Sequence, residues 1–302
     1  MEVSFPKLGI ELTIDRVAFS GFGVDIYWYA VIIMIGFMLA AWYALHNAKR
    51  FEVNPDPLID VILVGLACGI VGARAYYVLF RLDSYDSFFD MINVRDGGLA
   101  IYGGVIAAFV SGIIMCKYVE KIEILPVFDI ASIGFLIGQG IGRWGNFMNQ
   151  EAFGSQTDLP WGMYSANTYY YEVVDGVTKR VGPTTVHPCF LYESIWCLIG
   201  FLLLHYISKH YYRFKGQIFL CYLFWYGLGR AWIEGLRTDS LWLVDNVIKV
   251  SQLLAILGVL VSGALLVIGW KGMAIKDFQF PPKTAVEEGK DEVAEKAEAV
   301  EE

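Results

Sequence analysis

Seven stretches of mostly apolar residues recur along this 302-residue chain, and they limit the folds open to it. Crossing a bilayer takes roughly 20 apolar residues in a helix, the form that satisfies each backbone amide without water. The stretches cover residues 26–45, 58–80, 99–119, 127–142, 189–207, 217–236 and 247–270, the fourth being short and rich in glycine. Hydrophobic residues make up 56% of the chain and its mean hydropathy is +0.50, above ordinary globular usage. The expected fold is an all-α polytopic membrane protein with about seven transmembrane helices.

Lysine and arginine in short loops set the expected orientation. One set of loops carries Lys49 and Arg50, then Lys117 and Lys121, then Lys209, Arg213 and Lys215, then Lys271 and Lys276. The opposite set includes the acidic "RLDSYDSFFD" and "RTDSLWLVDN". The basic set is therefore assigned to the cytoplasm, with the N-terminus outside and the C-terminus inside. The expected divisions are an extracytoplasmic N-terminal segment (1–25), a transmembrane domain (26–276) that includes a small extracytoplasmic head (143–188), and an acidic, disordered cytoplasmic tail (277–302). Within the head, "YYYEVVDGVTKRVG" places β-favouring residues on both sides of Asp175-Gly176, the pattern of a hairpin.

The formal charge of −8 says little about a ligand, because eight acids stand against two lysines from Thr284 onward. The five cysteines lie in or beside apolar segments without CxxC spacing, so they read as small buried hydrophobes rather than disulfides or zinc ligands. The N-terminus has no basic region leading to a small-residue cleavage site, and no removable signal peptide is expected.

Ionisable residues inside apolar spans are costly and mark candidate function. In "YGLGRAWIEGLR", Tyr226, Arg230, Glu234 and Arg237 fall within an arc of roughly 80° at about 100° per residue. Arg230 lies roughly 21 Å from the inner end of that helix, in the outer leaflet. Two arginines against one glutamate suit an anion such as phosphate, which a guanidinium fork binds while staying charged. A self-neutralising Arg–Glu ladder is the structural alternative.

"GIGRWGNFMNQEAFG" places Arg143, Asn146, Asn149 and Glu151 after an apolar run. These would scatter around a helix, and Gly145 and Gly154 loosen the backbone, so a loop at the membrane surface is expected. The stretch contains G-x-G-x-x-G, but an apolar span precedes it where dinucleotide binding needs a strand, and that reading is rejected. Arg74 in "GARAYYVLF" and Asp129 in "VFDIAS" are charges within spans, each equally readable as a structural pair. Tyr102 sits between the glycine pairs of "GGLAIYGG", which permit close approach of a helix or ligand. "HPCFLYES" supplies His187, Tyr192 and Glu193 where the head re-enters the membrane, and a structural role is favoured for His187.

Together, "GRWGNFMNQEAFG", "GARAYYVLF", "GGLAIYGG", "HPCFLYES" and "YGLGRAWIEGLRTD" resemble, in order and spacing, the prolipoprotein diacylglyceryl transferases. The resemblance runs from about Tyr29 to Leu241. It implies a seven-span bacterial plasma-membrane enzyme, active at the outer leaflet. Such an enzyme moves the sn-1,2-diacylglyceryl group of phosphatidylglycerol to the lipobox cysteine of a preprolipoprotein, forming a thioether and releasing glycerol phosphate. It also implies that Arg143 contacts the lipid headgroup with Asn146, Glu151 and Gly154. Arg230 matches an essential membrane arginine, with Tyr226, Glu234 and Arg237 as its partners, and Tyr29, Arg74 and Asp129 match further functional positions. Many members carry histidine where this chain has Tyr102. With an unperturbed pKa near 10, tyrosine is a poor base at neutral pH. Tyr102 then donates a hydrogen bond to phosphate, or the thiol proton falls to Glu151, Glu234 or water.

The expected partners are phosphatidylglycerol, preprolipoprotein signal peptides and the bilayer, with no nucleic acid, metal or cofactor. The alternative is a phospholipid or anion transporter using the same arginine face; the absence of an evident internal repeat weighs against it.

Overall fold

The computed structural model describes residues 1–21, 24–85, 87–93, 97–174, 177–238, 242–244 and 248–271. The acidic tail, the Asp175-Gly176 turn and Val247 lie outside these residues. The elements in order are strands β1 (Glu2–Phe5), β2 (Ile10–Thr13), β3 (Val17–Gly21) and β4 (Val24–Tyr27), then helices α1 (Trp28–Asn47), α2 (Pro55–Leu79), α3 (Phe88–Ile92), α4 (Ile101–Ile114) and α5 (Ile124–Asn149). Strands β5 (Tyr164–Ser165), β6 (Tyr170–Val174) and β7 (Val177–Val181) follow, then α6 (Cys189–His210), α7 (Gln217–Leu236), β8 (Trp242–Val244), β9 (Ile248–Lys249) and α8 (Val250–Trp270).

Six helices among the described residues are long and apolar enough to cross a membrane: α1, α2, α4, α5, α6 and α8, with α1 and α4 counted to the ends of their continuations at Phe51 and Val119. Helix α7 has 20 residues but is not among the six, since Gln217, Arg230 and Glu234 lower its hydropathy. Large apolar side chains such as Trp42, Val71 and Leu260 are more than 60% exposed on these helices, as a lipid-facing surface requires.

The chain divides into two compact units. The second, Leu45–Phe128 among the described residues, is built on α2 and α4. Their glycines face one another: a Cβ at Gly103 would run into the carbonyl oxygen of Gly72 and the Cβ of Tyr76. The second glycine pair of "GGLAIYGG", Gly103 and Gly104, thus serves close helix packing. Helix α4 begins at Ile101 rather than 99: Gly97 and Gly98 adopt φ of 82° and 76°, and Ala100 at the N-cap is still extended, with φ −94° and ψ 119°.

The first unit comprises Met1–Ala44 and Asp129–Met273. Helices α1 and α5 approach at Gly36, where an added Cβ would lie 3.4 Å from the Gly138 carbonyl oxygen. Helices α6 and α7 are joined by Trp196 and Trp225, stacked at 4.4 Å, each indole N–H donating to the other's carbonyl at 3.0 Å. Asp129, fully buried at the start of α5, accepts hydrogen bonds from the Gly216 and Phe219 amides at 2.7 and 2.8 Å and from the Tyr212 hydroxyl at 2.7 Å. It caps the N-terminus of α7 from a neighbouring helix, satisfying amides that have no partner within α7.

The head holds more sheet than the expected hairpin. Strand β1 pairs with both β2 and β5, so the N-terminal segment and the head share one sheet. Val3 and Ile14 pack with Phe147, Phe153, Met163, Val186 and Phe190 in one core. Strands β6 and β7 pair antiparallel in the expected hairpin register, Val174 opposite Val177. The loop expected over 143–154 is corrected: α5 runs on to Asn149, so only 150–154 lies outside the helix. The glycine that suggested a loop, Gly145, instead admits the ring of Tyr29, which an added Cβ would meet at 2.8 Å.

Candidate active site

Three helices bring charge together in the first unit. Arg143, near the end of α5, places Nη2 2.5 Å from Glu193 Oε2 on the first turns of α6. Arg230 on α7 places Nη1 3.5 Å from Glu193 Oε1 and Nη2 2.6 Å from Glu234 Oε2. Arg237 Nη1 lies 3.8 Å from the same Glu193 Oε1. Glu193 and Glu234 are buried, while the three arginine side chains keep 13–21% of their surface. Three guanidiniums over two carboxylates leave one excess positive charge, with part of each fork accessible. That arrangement suits an anion held from several sides.

The expected single face of Tyr226, Arg230, Glu234 and Arg237 is corrected at its end. Arg237 caps α7 with extended backbone (φ −72°, ψ 145°), and so turns toward Glu193 from outside the helix. Tyr226 stacks on Tyr222 at 5.7 Å, and the charges of Arg230 and Arg143 both act on it.

On α5, Arg143, Asn146 and Asn149 recur every three residues and spread over roughly 120° of the helix rather than scattering. Arg143 Nη1 donates to Asn146 Oδ1 at 3.4 Å. The amides of Asn146 and Asn149 donate to Glu151 Oε1 at 2.9 and 3.3 Å, anchoring a carboxylate that is otherwise exposed. Tyr29 lies against Gly145, where the charges of Glu151 and Arg143 both reach its hydroxyl.

Gly154 acts through the backbone. Its amide donates to the His187 carbonyl at 2.9 Å, and it pairs with Arg237 as an isolated bridge. An added Cβ would come within 2.7 Å of His187 Cβ and 2.9 Å of Cys189 Sγ. Only glycine lets this strand thread between the start of α6 and the end of α7, and Arg237 is set by that thread. His187 Nδ1 lies 3.1 Å from the Tyr192 hydroxyl, which accepts from Trp161 Nε1 at 2.8 Å. Burial holds the imidazole below its usual pKa, favouring the neutral ring.

Asp129 lies 14 residues before Arg143 on α5, roughly 21 Å away at 1.5 Å per residue. It is bound to the start of α7, away from the arginines. In the second unit, Arg74 donates to the carbonyls of Asp90, Met91, Gly97 and Gly98 at 2.8–3.0 Å. Its guanidinium folds the connection into α4. Tyr102, on the first turn of α4, is 67% exposed.

The sequence marks Glu193 only as a supporting residue of the re-entry segment, yet three arginines share it. Lys249 was not singled out. It is 2% exposed, and its ammonium donates to the carbonyls of Glu234 and Arg237, closing the C-terminus of α7. A lysine at the N-cap of α8, where the helix dipole disfavours a cation, was the available signal. Ser251 Oγ donates to Glu234 Oε1 at 2.6 Å from the next turn.

Residues 16–268 match the family model of prolipoprotein diacylglyceryl transferase. The chain belongs to the prolipoprotein diacylglyceryl transferase family. It is 42% identical over 263 residues to a phosphatidylglycerol–prolipoprotein diacylglyceryl transferase of Finegoldia magna, covering 87% of this chain and 98% of that one. A relative so named from Clostridium perfringens, numbered 1 there, is 42% identical over 84% of this chain and 94% of its own. One from Thermotoga maritima is 38% identical over 91% and 89%. With six candidate spans and this membership, the chain is a multi-pass membrane transferase.

Proposed function

We propose that the chain transfers the diacylglyceryl group of phosphatidylglycerol to the cysteine thiol of a preprolipoprotein, and that its arginine cluster is where the phosphate is held. The observation that carries this reading is the convergence of Arg143, Arg230 and Arg237 on Glu193. An incoming phosphodiester competes with Glu193 for the same forks. The bound thiol gives up its proton and its sulfur attacks the glyceryl carbon. A C–S bond forms, the C–O bond to phosphate breaks, and its electron pair remains on the phosphate oxygen. Positive groups aimed at that oxygen stabilise the charge as it grows. They also lower the pKa of a nearby thiol from its ordinary value near 8.5.

In this reading Arg143 and Arg230 clamp the phosphate, and Arg237, Tyr226 and Tyr29 complete the headgroup site. Asn146 orients Arg143 and Glu151, while Gly154 and Glu234 fix Arg237 and Arg230. The thiol proton passes to Glu151, Glu234 or water. Helix α7 is the seventh crossing, since 20 residues rise about 30 Å, the thickness of the hydrocarbon core. The basic loops lie in the cytoplasm, which puts the arginines in the outer leaflet of a bacterial plasma membrane. Phospholipid and a membrane-tethered precursor both reach that level laterally.

The test is incubation of the purified protein with labelled phosphatidylglycerol and a lipobox peptide, read by mass spectrometry. The peptide gains one diacylglyceryl group, and Arg230→Ala abolishes the gain while the protein still inserts. Near-full turnover by Arg230→Ala would overturn the mechanism.

A further inference from the structure

A cavity of about 290 Å³ opens in the head beside the end of α5. Arg16, Arg180, Gln150, Glu151, Asn149 and Tyr169 contribute to its wall. Gln150 is 3% exposed, and neither atom of its side-chain amide has a hydrogen-bond partner. Arg16 donates through Nη2 to the Asn149 carbonyl at 2.7 Å, but its Nε is buried and unpartnered. The Arg180 guanidinium carbon lies over the Tyr169 ring, 3.8 Å from its centroid. Buried polar groups in folded proteins are nearly always satisfied, so an unpartnered carboxamide and guanidinium nitrogen on two residues of one cavity wall point to a guest that draws them out.

The wall states the chemistry of that guest. Two guanidiniums select an anion. The Gln150 carboxamide offers a donor and an acceptor together, and Glu151 offers a further acceptor, which hydroxyl groups satisfy and a bare phosphate does not. The lining mixes polar and apolar groups, and the volume, at the small end of ligand sites, suits a headgroup rather than a whole lipid. The guest is a small polyol phosphate. Glu151 forms part of this wall and is also joined through Asn146 to Arg143. The cavity is therefore linked to the arginine cluster through Glu151 and Asn146.

We infer that this cavity receives the glycerol phosphate released by the transfer, as a product site separate from the arginine cluster. The inference rests on the proposed reaction for the identity of the guest. Departure of the phosphate from Arg143 into a second, weaker cationic site would free the forks for the next lipid.

The test uses the purified full chain in detergent, titrated calorimetrically with sn-glycerol 1-phosphate, inorganic phosphate and a lipobox peptide in turn. Glycerol phosphate binds the unaltered protein and inhibits transfer. Gln150→Leu and Arg180→Ala each weaken that binding at least about tenfold, the loss expected for hydrogen bonds to a charged ligand. Both variants keep the thermal midpoint of the parent. Arg143→Ala loses transfer but still binds glycerol phosphate. If Gln150→Leu and Arg180→Ala bind glycerol phosphate as the parent does, the inference is wrong. It is equally wrong if Arg143→Ala alone abolishes binding, if inorganic phosphate binds as tightly, or if only the peptide depends on Gln150. A protein that binds glycerol phosphate through Gln150 yet transfers nothing would instead sink the proposed reaction and leave the cavity's ligand standing.

Discussion

Arg143 and Glu193, from α5 and α6, meet at 2.5 Å, and the same carboxylate faces Arg230 and Arg237. Glu193 is the hub that lets three cations share a partly dehydrated site. Glu193→Gln leaves the three guanidiniums with only Glu234 among these carboxylates, at a cost of about 2 kcal/mol given their residual exposure. We expect transfer to phosphatidylglycerol to fall at least about tenfold, with Glu193→Asp recovering part of it. A glutamine variant with parental turnover and thermal midpoint would remove Glu193 from the site.

Asp129 gives a contrasting case, because its carboxylate is spent on the N-terminus of α7. Asp129→Ala should lower stability by about 2 kcal/mol, combining a lost cap with hydrogen bonds to a charged group. Asp129→Asn keeps an acceptor and should lose less. Thermal unfolding of the purified variants reads both. If the alanine variant melts as the parent does but transfers nothing, Asp129 acts in the reaction instead.

Much of this architecture was legible in the sequence, and the reasons differ by element. The spans announced themselves through length and apolarity, since the bilayer imposes both. Arg230 stood out because charge inside a span is costly, and Arg143 because it directly follows an apolar run. The extension of α5 did not. Gly145 and the polar residues after it look like loop composition, and only the packing of Tyr29 against Gly145 accounts for the helix there. Strands β1 and β5 were unreadable for a similar reason: four and two residues long, they exist through a pairing across some 160 residues. Glu193 was visible as a residue but not as a hub, because its three partners come from distant parts of the chain.

Lys249 carries the next expectation. Its ammonium serves the carbonyls of Glu234 and Arg237, and Arg237 leaves α7 at that point. Lys249→Met keeps the length and apolarity of the stem but removes the donor, which should cost about 2 kcal/mol. Because the loss falls beside Arg237, the KM for phosphatidylglycerol should rise as well as the midpoint falling. A variant with a lower midpoint and unchanged KM would confine Lys249 to stability.

His187 sets a pH dependence of stability. Burial holds its pKa below the ordinary value of 6.5, so the folded protein binds fewer protons there than the unfolded chain. Stability from the neutral ring is therefore complete above about pH 6.5 and declines as pH falls through the interval down to the lowered folded value. His187→Gln keeps a polar group beside the Tyr192 hydroxyl but cannot titrate. Unfolding midpoints recorded across the acidic range should fall less steeply for His187→Gln than for the parent, the two curves converging in slope above neutrality. Parallel curves throughout would mean that another group governs the acid limb.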